Sequence, residues 1–105
     1  MQLMTKALQR ALPPLQAGRD QGVKALVYVH YFTSYSNWDW YATAFDGSDI
    51  CFGLVKGFAL EFGEFSLSEL KGVRILGCPI ERDLYWEPQP VGQILAMWQK
   101  QGFYL

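Results

Sequence analysis

The sequence has few of the residues that build metal and redox sites. It contains two cysteines, Cys51 and Cys78, and a single histidine, His30, in 105 residues. A structural zinc site uses about four cysteine or histidine ligands at short spacing, and these three are scattered along the chain. We therefore expect no bound metal, no cofactor and two reduced thiols, with Cys51 in the protein core.

Positive charge is not in excess, which argues against general nucleic-acid binding. Nine Lys and Arg residues stand against ten Asp and Glu, for a formal net charge of −1. Proteins that bind DNA or RNA through its phosphates are usually basic. The basic residues near the N-terminus are Lys6, Arg10, Arg19 and Lys24, whereas the middle of the chain is acidic.

Long apolar runs and common catalytic motifs are also missing. The segment MQLMTKALQR lacks the apolar core of a secretion signal, and no run approaches the roughly 20 residues of a membrane-spanning helix. The chain has neither the GxSxG motif of serine hydrolases nor the GxxxxGK[ST] loop that binds phosphates. We expect a cytoplasmic protein that contacts no membrane, and no motif requires it to be an enzyme.

The strongest structural signal is a β-hairpin over residues 38–55. Bulky and small side chains alternate through residues 38–45 and again through 49–55, with the two-residue period of a strand. Between them, Asp46 and Gly47 predict a tight turn, because glycine readily adopts a positive φ. Both strands carry bulky residues on both faces, so we expect the helices at the chain ends to cover the hairpin.

The remaining segments complete an α+β pattern. Residues 24–32, KALVYVHYF, have the continuous apolarity of a central strand that is buried on both sides. The other predicted elements are a helix after Thr5, a loop at 17–22, a strand at 58–62, a short helix from Ser66 to about Lys71, an edge strand at 83–86 and a helix after Pro90. We predict one α+β domain over residues 1–105, with a mainly antiparallel sheet of about four strands, helices at both chain ends and one short helix between them.

Candidate binding residues fall into an aromatic group and a charged group. Aromatic side chains with acidic neighbours suit a protein partner better than a nucleic acid. The Glu81-Arg82-Asp83 triplet lies between prolines and could bind a substrate bidentately or supply acid and base groups. The complete candidate set is Trp38, Trp40, Tyr41, Asp46, Glu61, Glu81, Arg82 and Asp83.

Each charged candidate also has a purely structural interpretation. Arg82 is predicted to act as a tether whose guanidinium is buried against carboxylates, with Glu61 or Asp46 as partners. His30 lies in a strongly apolar strand, where a histidine is more often a hydrogen-bonded sheet residue than a catalyst. These interpretations leave the charged triplet open as either an architectural or a functional feature.

Three stretches of the chain resemble a small bacterial family, the domain of unknown function 2958. They are SNWxWYATxFDGxDxxFGLVxG at Ser36–Gly57, FSLSEL at Phe65–Leu70 and PIERDLxxxP at Pro79–Pro88. The opening LMTKALQRALPPL is also similar to the start of the family. The resemblance implies no established activity. It implies that members are accessory proteins of plasmids, integrative elements and phages, often encoded near anti-restriction and DNA-maintenance genes.

Three classes of function follow from these observations. The first is a protein-interaction module, possible targets being host defence complexes of the restriction or CRISPR type. The second is an enzyme or small-ligand binder that uses Glu61 together with Glu81, Arg82 and Asp83. The third is a nucleic-acid-associated protein that uses the basic N-terminal residues, and net charge makes it the weakest of the three.

Overall fold

The computed structural model describes residues 1–105 and contains four α-helices and nine short or medium strands. The helices are α1 (Lys6–Ala11), α2 (Leu15–Gln21), α3 (Leu67–Gly72) and α4 (Val91–Lys100). The strands are β1 (Leu26–Val27), β2 (Val29–Phe32), β3 (Asp39–Phe45), β4 (Ile50–Lys56), β5 (Leu60–Ser66), β6 (Arg74–Ile75), β7 (Cys78–Pro79), β8 (Glu81–Arg82) and β9 (Gln89–Pro90). The α+β class is therefore confirmed.

A five-stranded antiparallel sheet, in the order β5-β4-β3-β2-β8, forms the framework. The prediction of about four strands is confirmed, with the two-residue β8 added at one edge. Two further ladders, β1 with β9 and β6 with β7, lie outside this sheet. The central strand is β3, whereas the apolar segment 24–32 was predicted to be central.

That segment divides between two pairings, which explains the difference. Its first part, β1, pairs with β9, and its second part, β2, lies between β3 and β8. Burial alternates along β2, while the last five residues of β3 are all buried. A continuous apolar sequence indicates that both faces of a strand are buried. It does not indicate which strands lie beside it.

The predicted hairpin is confirmed as β3 and β4. Gly47 has a φ of 88° in the turn, and the Asp46 carboxylate accepts the backbone N–H groups of Ser48, Asp49 and Ile50 at 2.8–3.0 Å. Gly53 on β4 allows a close approach, because a Cβ there would lie 1.8 Å from the backbone oxygen of Tyr41. Turn chemistry and a close backbone contact thus set the geometry of the hairpin.

Two hydrophobic cores lie in the molecule. One contains Leu3, Met4, Tyr31, Cys51, the α3 leucines and Leu12, the C-cap residue of α1. Leu8 of α1 packs against this core. The other contains Tyr41, Leu54, Leu60 and the buried α4 residues Val91, Ile94 and Leu95. Helices from both ends of the chain pack on the sheet, as predicted, and Cys51 is a fully buried core residue, as predicted.

The predicted loop at 17–22 is wrong, because α2 occupies most of it. The helix begins after Pro14, and Gly18 packs so closely on β3 that a Cβ there would lie 2.6 Å from the Ala44 Cβ. Gly18 and Ala44 lie far apart along the chain, so the polar sequence around Gly18 does not reveal their contact.

Two strand boundaries also differ from the predictions. Residues 57–59 form the turn after β4, and the following strand runs from Leu60 through Gly63 to Ser66. The predicted edge strand at 83–86 is wrong, since the edge strand β8 ends at Arg82. Asp83 instead accepts the backbone N–H of Tyr85 at 3.0 Å, which holds the chain in a turn.

The predicted helix caps are largely confirmed. Thr5 caps α1 by accepting the N–H of Leu8, and Ser66 caps α3 by accepting the N–H of Glu69. In α4, the predicted first-turn residue Pro90 instead occupies the N-cap. Gly102, with a φ of 95°, follows the end of that helix, as expected for a helix stop.

A pair of glycine substitutions tests the hairpin turn. A Cβ added at Gly47 or at Gly63 would meet no atom within 4 Å, but only Gly47 has a positive φ. We expect Gly47→Ala to lower the free energy of unfolding by about 1–2 kcal/mol, since an L-residue is strained there. Gly63→Ala is the control and should leave it unchanged or raise it by up to about 1 kcal/mol. Urea denaturation measures both, and equal effects would contradict the assigned turn.

Candidate functional site

Four charged or polar side chains form a half-buried cluster on the face of the sheet that α4 covers. We call His30, Asp39, Lys56 and Asp83 the His30 cluster. Strand register assembles it, because Asp39 on β3 pairs with Lys56 on β4, and His30 on β2 pairs with Tyr41 on β3. Asp83 joins from the end of β8, where its N–H donates to the His30 backbone oxygen at 2.9 Å.

Both ring nitrogens of His30 contact carboxylates. Nε2 lies 2.7 Å from Asp39 Oδ1, and Nδ1 lies 3.2 Å from Asp83 Oδ2. An ionised carboxylate only accepts hydrogen bonds, so both contacts are hydrogen bonds when both ring nitrogens carry hydrogen. The ring also stacks on Tyr41, at 4.7 Å between centroids and 8° between planes, and Trp86 lies 5.2 Å away.

Lys56 places a positive charge almost completely inside the protein. Its side chain is 4% exposed, its Nζ lies 3.9 Å from Asp39 Oδ2, and it donates a hydrogen bond to the backbone oxygen of Asn37. The ammonium also lies 4.5 Å from the ring centroid of Trp98 and 4.6 Å from that of Phe103. One carboxylate, one carbonyl and two aromatic faces therefore replace the water that the buried charge has lost.

The chemistry available to the His30 cluster is limited by how fully its groups are engaged. The pKa of Tyr41 is raised mainly by burial and secondly by the nearby charge of Asp39, so its phenol stays protonated. The phenol oxygen accepts the Trp98 indole N–H at 3.0 Å. Outside the cluster, in the other core, burial raises the pKa of Cys51 to about 12, which keeps that thiol from acting as a nucleophile. No group of three or more His, Cys, Asp or Glu side chains has the arrangement of a metal site. The contacts among the side chains of the His30 cluster connect β2, β3, β4 and the end of β8.

A second feature is an exposed aromatic surface, which we call the Trp38–Phe58 patch. It comprises Trp38, Trp40, Val55, Phe58 and Glu61. The Trp38 ring stacks on Trp40 at 6.1 Å, and Phe58 meets Trp38 edge-on at 5.8 Å. Trp38, Val55, Phe58 and Glu61 line a shallow pocket of about 160 Å³ together with Gly57 and Ala59.

The patch unites three predicted site residues with two, Val55 and Phe58, that the sequence analysis did not single out. Trp38, Trp40 and Glu61 were predicted, whereas Phe58 was placed in a strand. Its side chain is 92% exposed, the second most exposed of the large hydrophobic residues after Tyr85. Gly57 was the available signal, since a glycine between two strands indicates a turn, and an aromatic residue at a turn has little core to enter.

Glu81, Arg82 and Asp83 line one shallow pocket of about 170 Å³, and Glu61 does not join them. Glu81 and Arg82 lie on β8 at one edge of the sheet, and Glu61 lies on β5 at the other. Four strand spacings separate these edges, which amounts to roughly 19 Å. The proposed site combining Glu61 with the triplet is therefore not assembled, and Asp83 contacts His30 instead.

Arg82 is held differently from the prediction. Its Nε donates to the backbone oxygen of Gln2 at 3.1 Å, and it forms no ion pair with Glu61, Asp46 or any other carboxylate. The predicted carboxylate tether is thus wrong. The N-terminal segment passes over this edge of the sheet and provides a carbonyl partner that lies 80 residues away in sequence.

Asp46 is an architectural residue at the turn of the hairpin, and Asp49 is its neighbour. Asp49 accepts hydrogen bonds from Ser66 Oγ at 2.5 Å and from the backbone and hydroxyl of Ser68, both at 2.8 Å. The pKa of Asp46 is lowered first by the Ser48 N–H, and the pKa of Asp49 is lowered first by the Ser66 hydroxyl. Both carboxylates therefore act on the turn and the start of α3.

Residues 2–102 match the family described as protein of unknown function (DUF2958). The match includes the hairpin, α3 and the charged triplet, and it confirms the resemblance noted in the sequence. The chain belongs to this family. No curated protein and no solved structure matches it. Within this DUF2958 protein, none of the helices combines the length and apolarity needed to cross a membrane.

Removing Asp39 should strongly destabilise this DUF2958 protein. Asp39→Ala leaves Lys56 buried and His30 without its closer carboxylate, and breaking a buried pair in this way typically costs about 3–5 kcal/mol. Asp20→Ala is the matched control, because Asp20 is exposed and its carboxylate bonds to Gln16, so its effect should stay within about 0.5 kcal/mol. Urea denaturation compares the two, and similar small losses would contradict a stabilising role for the cluster.

Asp49→Asn should reduce stability in a pH-dependent way. The folded pKa of Asp49 lies below its unfolded value, which is about 3.9, so the folded state binds fewer protons between these two values. Its contribution is therefore complete above the unfolded pKa and is lost as pH falls through the folded pKa. We expect the Tm difference between Asp49→Asn and the unmodified protein to be largest at neutral pH and to shrink in acid.

The control for this measurement is Asp20→Asn, which removes an exposed carboxylate outside the turn. Its Tm should remain close to that of the unmodified protein at each pH. A Tm difference for Asp49→Asn that stays constant from neutral to acidic pH would contradict the role assigned to the ionised carboxylate.

Proposed function

We propose that this DUF2958 protein acts by binding another protein through the Trp38–Phe58 patch. The observation that carries the proposal is Phe58, a residue that is 92% exposed and whose ring meets Trp38 edge-on. Exposed apolar side chains that form a patch with a polar rim are characteristic of interaction surfaces. Aromatic residues are also enriched among the side chains that dominate binding energy.

The geometry around Phe58 supports a preorganised anchor. The turn is closed by a hydrogen bond of 3.0 Å from the Gly57 N–H to the Ala59 oxygen. Beneath it, Gly57 lies so close to Trp38 that a Cβ would come within 2.5 Å of the indole. A turn whose backbone is held in place before binding loses less conformational entropy when a partner covers it.

Size and charge favour a protein partner over a small molecule or a nucleic acid. The pocket of about 160 Å³ is smaller than the roughly 300–1,000 Å³ of typical small-molecule sites. The charged side chain that lines it, Glu61, is negative and would repel phosphate groups. A protein surface with an apolar centre and a neutral or basic rim fits both properties.

The resemblance to a mobile-element family suggests what the partner does. The resemblance implies that family members are often encoded near anti-restriction genes. A small protein in that context would act as an accessory factor, and occupying a surface of a host defence complex requires no catalytic group. We therefore propose inhibition of such a complex, of the restriction or CRISPR type, as the biological role. The full engagement of the His30 cluster is consistent with a role that needs no reactive side chain.

Affinity purification from a native host, read by quantitative mass spectrometry, tests the proposal with two variants. Phe58→Ser removes the anchor of the patch, and Tyr85→Ser removes a 94% exposed aromatic side chain near the opposite edge of the sheet. We expect one host protein to be recovered at least about tenfold less with Phe58→Ser, since a buried aromatic anchor contributes about 2 kcal/mol or more. Tyr85→Ser should recover it normally.

Two outcomes would overturn the proposal. Equal recovery with both variants would show that Phe58 does not contact the partner. Loss with Tyr85→Ser alone would move the interface to the β8 edge, where Phe32, Arg82 and Leu84 lie close to Tyr85. The comparison is valid only if the two variants have equal melting temperatures, which shows that neither substitution unfolds the protein. We expect equal values because both side chains are exposed.

A further inference from the structure

We propose that the partner contributes a basic extended strand that pairs with the free edge of β5. This inference rests on the proposed function and specifies how the partner is bound. The strand β5 is an edge strand of the sheet, with β4 on one side. An edge strand presents unpaired backbone N–H and C=O groups, which are the usual template for strand addition.

The direction of the backbone groups along β5 follows from a single hydrogen bond. The Leu60 N–H donates to the Tyr104 oxygen at 2.9 Å, so it points away from β4. In an antiparallel ladder, alternate residues direct their N–H and C=O groups to the same side. Phe62 and Glu64 therefore direct theirs outward, while Gly63 between them bonds to β4.

At Leu60 the edge is already occupied by Tyr104. Beyond that residue it has few of the features that protect sheet edges. It is seven residues long and contains no proline, and its ladder with β4 runs in unbroken register from Ile50 opposite Ser66 to Lys56 opposite Leu60. By contrast, the opposite edge strand β8 has two residues, and Met1 and Gln2 contact it. Short or covered edges resist strand addition, so the part of β5 after Leu60 is the edge open to it.

Charge indicates the chemistry of the occupant. The two charged residues of β5 are Glu61 and Glu64. Of these, only Glu64 has an ionic partner, Arg19. A second copy of this chain would bring acidic edges together, which like-charge repulsion opposes. A strand with lysine or arginine side chains would instead complement Glu61.

The β5 edge is also continuous with the Trp38–Phe58 patch. Glu61 lines the pocket of the patch and lies on β5, one residue from the outward-facing backbone of Phe62. A strand that pairs with Phe62 and Glu64 would lie beside Glu61 of the patch, and the partner chain that continues past Tyr104 could place an apolar side chain against Phe58. Backbone pairing and the aromatic anchor would form one interface.

The test uses a labelled, amide-capped peptide of alternating valine and lysine, about eight residues long to match a typical strand. Fluorescence anisotropy measures its binding, and a peptide of alternating valine and glutamate is the charge control. We expect Glu64→Pro to weaken binding at least about tenfold, because it removes an outward N–H and obstructs the edge. Glu64→Gln keeps that N–H and should weaken binding by less.

Amide hydrogen exchange of the unmodified protein provides a second readout that does not depend on a proline variant folding. Adding the lysine peptide should slow exchange at Phe62 and Glu64 and leave Gly63 unchanged, since its N–H already bonds to β4. No change at Phe62 and Glu64, or equal binding of the glutamate peptide, would overturn the proposal. Self-association that Glu64→Pro abolishes would assign the edge to a second copy and would also overturn it.

The same variant separates this inference from the proposed function. If Phe58→Ser loses the host protein and Glu64→Pro, correctly folded, retains it, the strand-addition proposal fails while the patch remains the interface. If Phe58→Ser retains the host protein, the proposed function itself fails.

Discussion

Asp39 holds the His30 ring and the Lys56 ammonium at the start of β3, and much of the structure depends on that position. One carboxylate oxygen lies 2.7 Å from His30 Nε2, and the other lies 3.9 Å from Lys56 Nζ. The neighbouring strands β2 and β4 are thereby linked to β3 by side-chain contacts as well as by backbone hydrogen bonds. Because a buried ammonium without a partner is very costly, the register of these three strands is tied to the position of Asp39.

The buried cluster also organises the exposed surface through adjacent residues in the chain. Lys56 donates to the backbone oxygen of Asn37, and Asn37 immediately precedes Trp38. Lys56 is itself followed by the turn that presents Phe58. A buried charge on one face of the sheet therefore holds the chain just before Trp38 and lies two residues before Phe58. The His30 cluster and the Trp38–Phe58 patch are therefore linked through residues that are adjacent in the chain.

Local signals account for the elements that the sequence predicted correctly. The hairpin turn at Gly47, the cap at Ser66 and the last helix each depend on residues within a few positions of one another. Such short-range rules can be recognised in a single chain. The failed predictions, α2 and the position of β8, depend on packing against distant segments such as Ala44 and Gln2.

The sequence by itself determined the α+β class, the hairpin, the caps and the membership in the DUF2958 family, because these depend on local pattern and motif. Only the tertiary structure decided which charged residues meet. It paired Asp83 with His30, separated Glu61 from Glu81 by the width of the sheet and left Phe58 exposed. Strand order brings distant residues together or keeps them apart, and strand order is set by long-range pairing that no local pattern encodes.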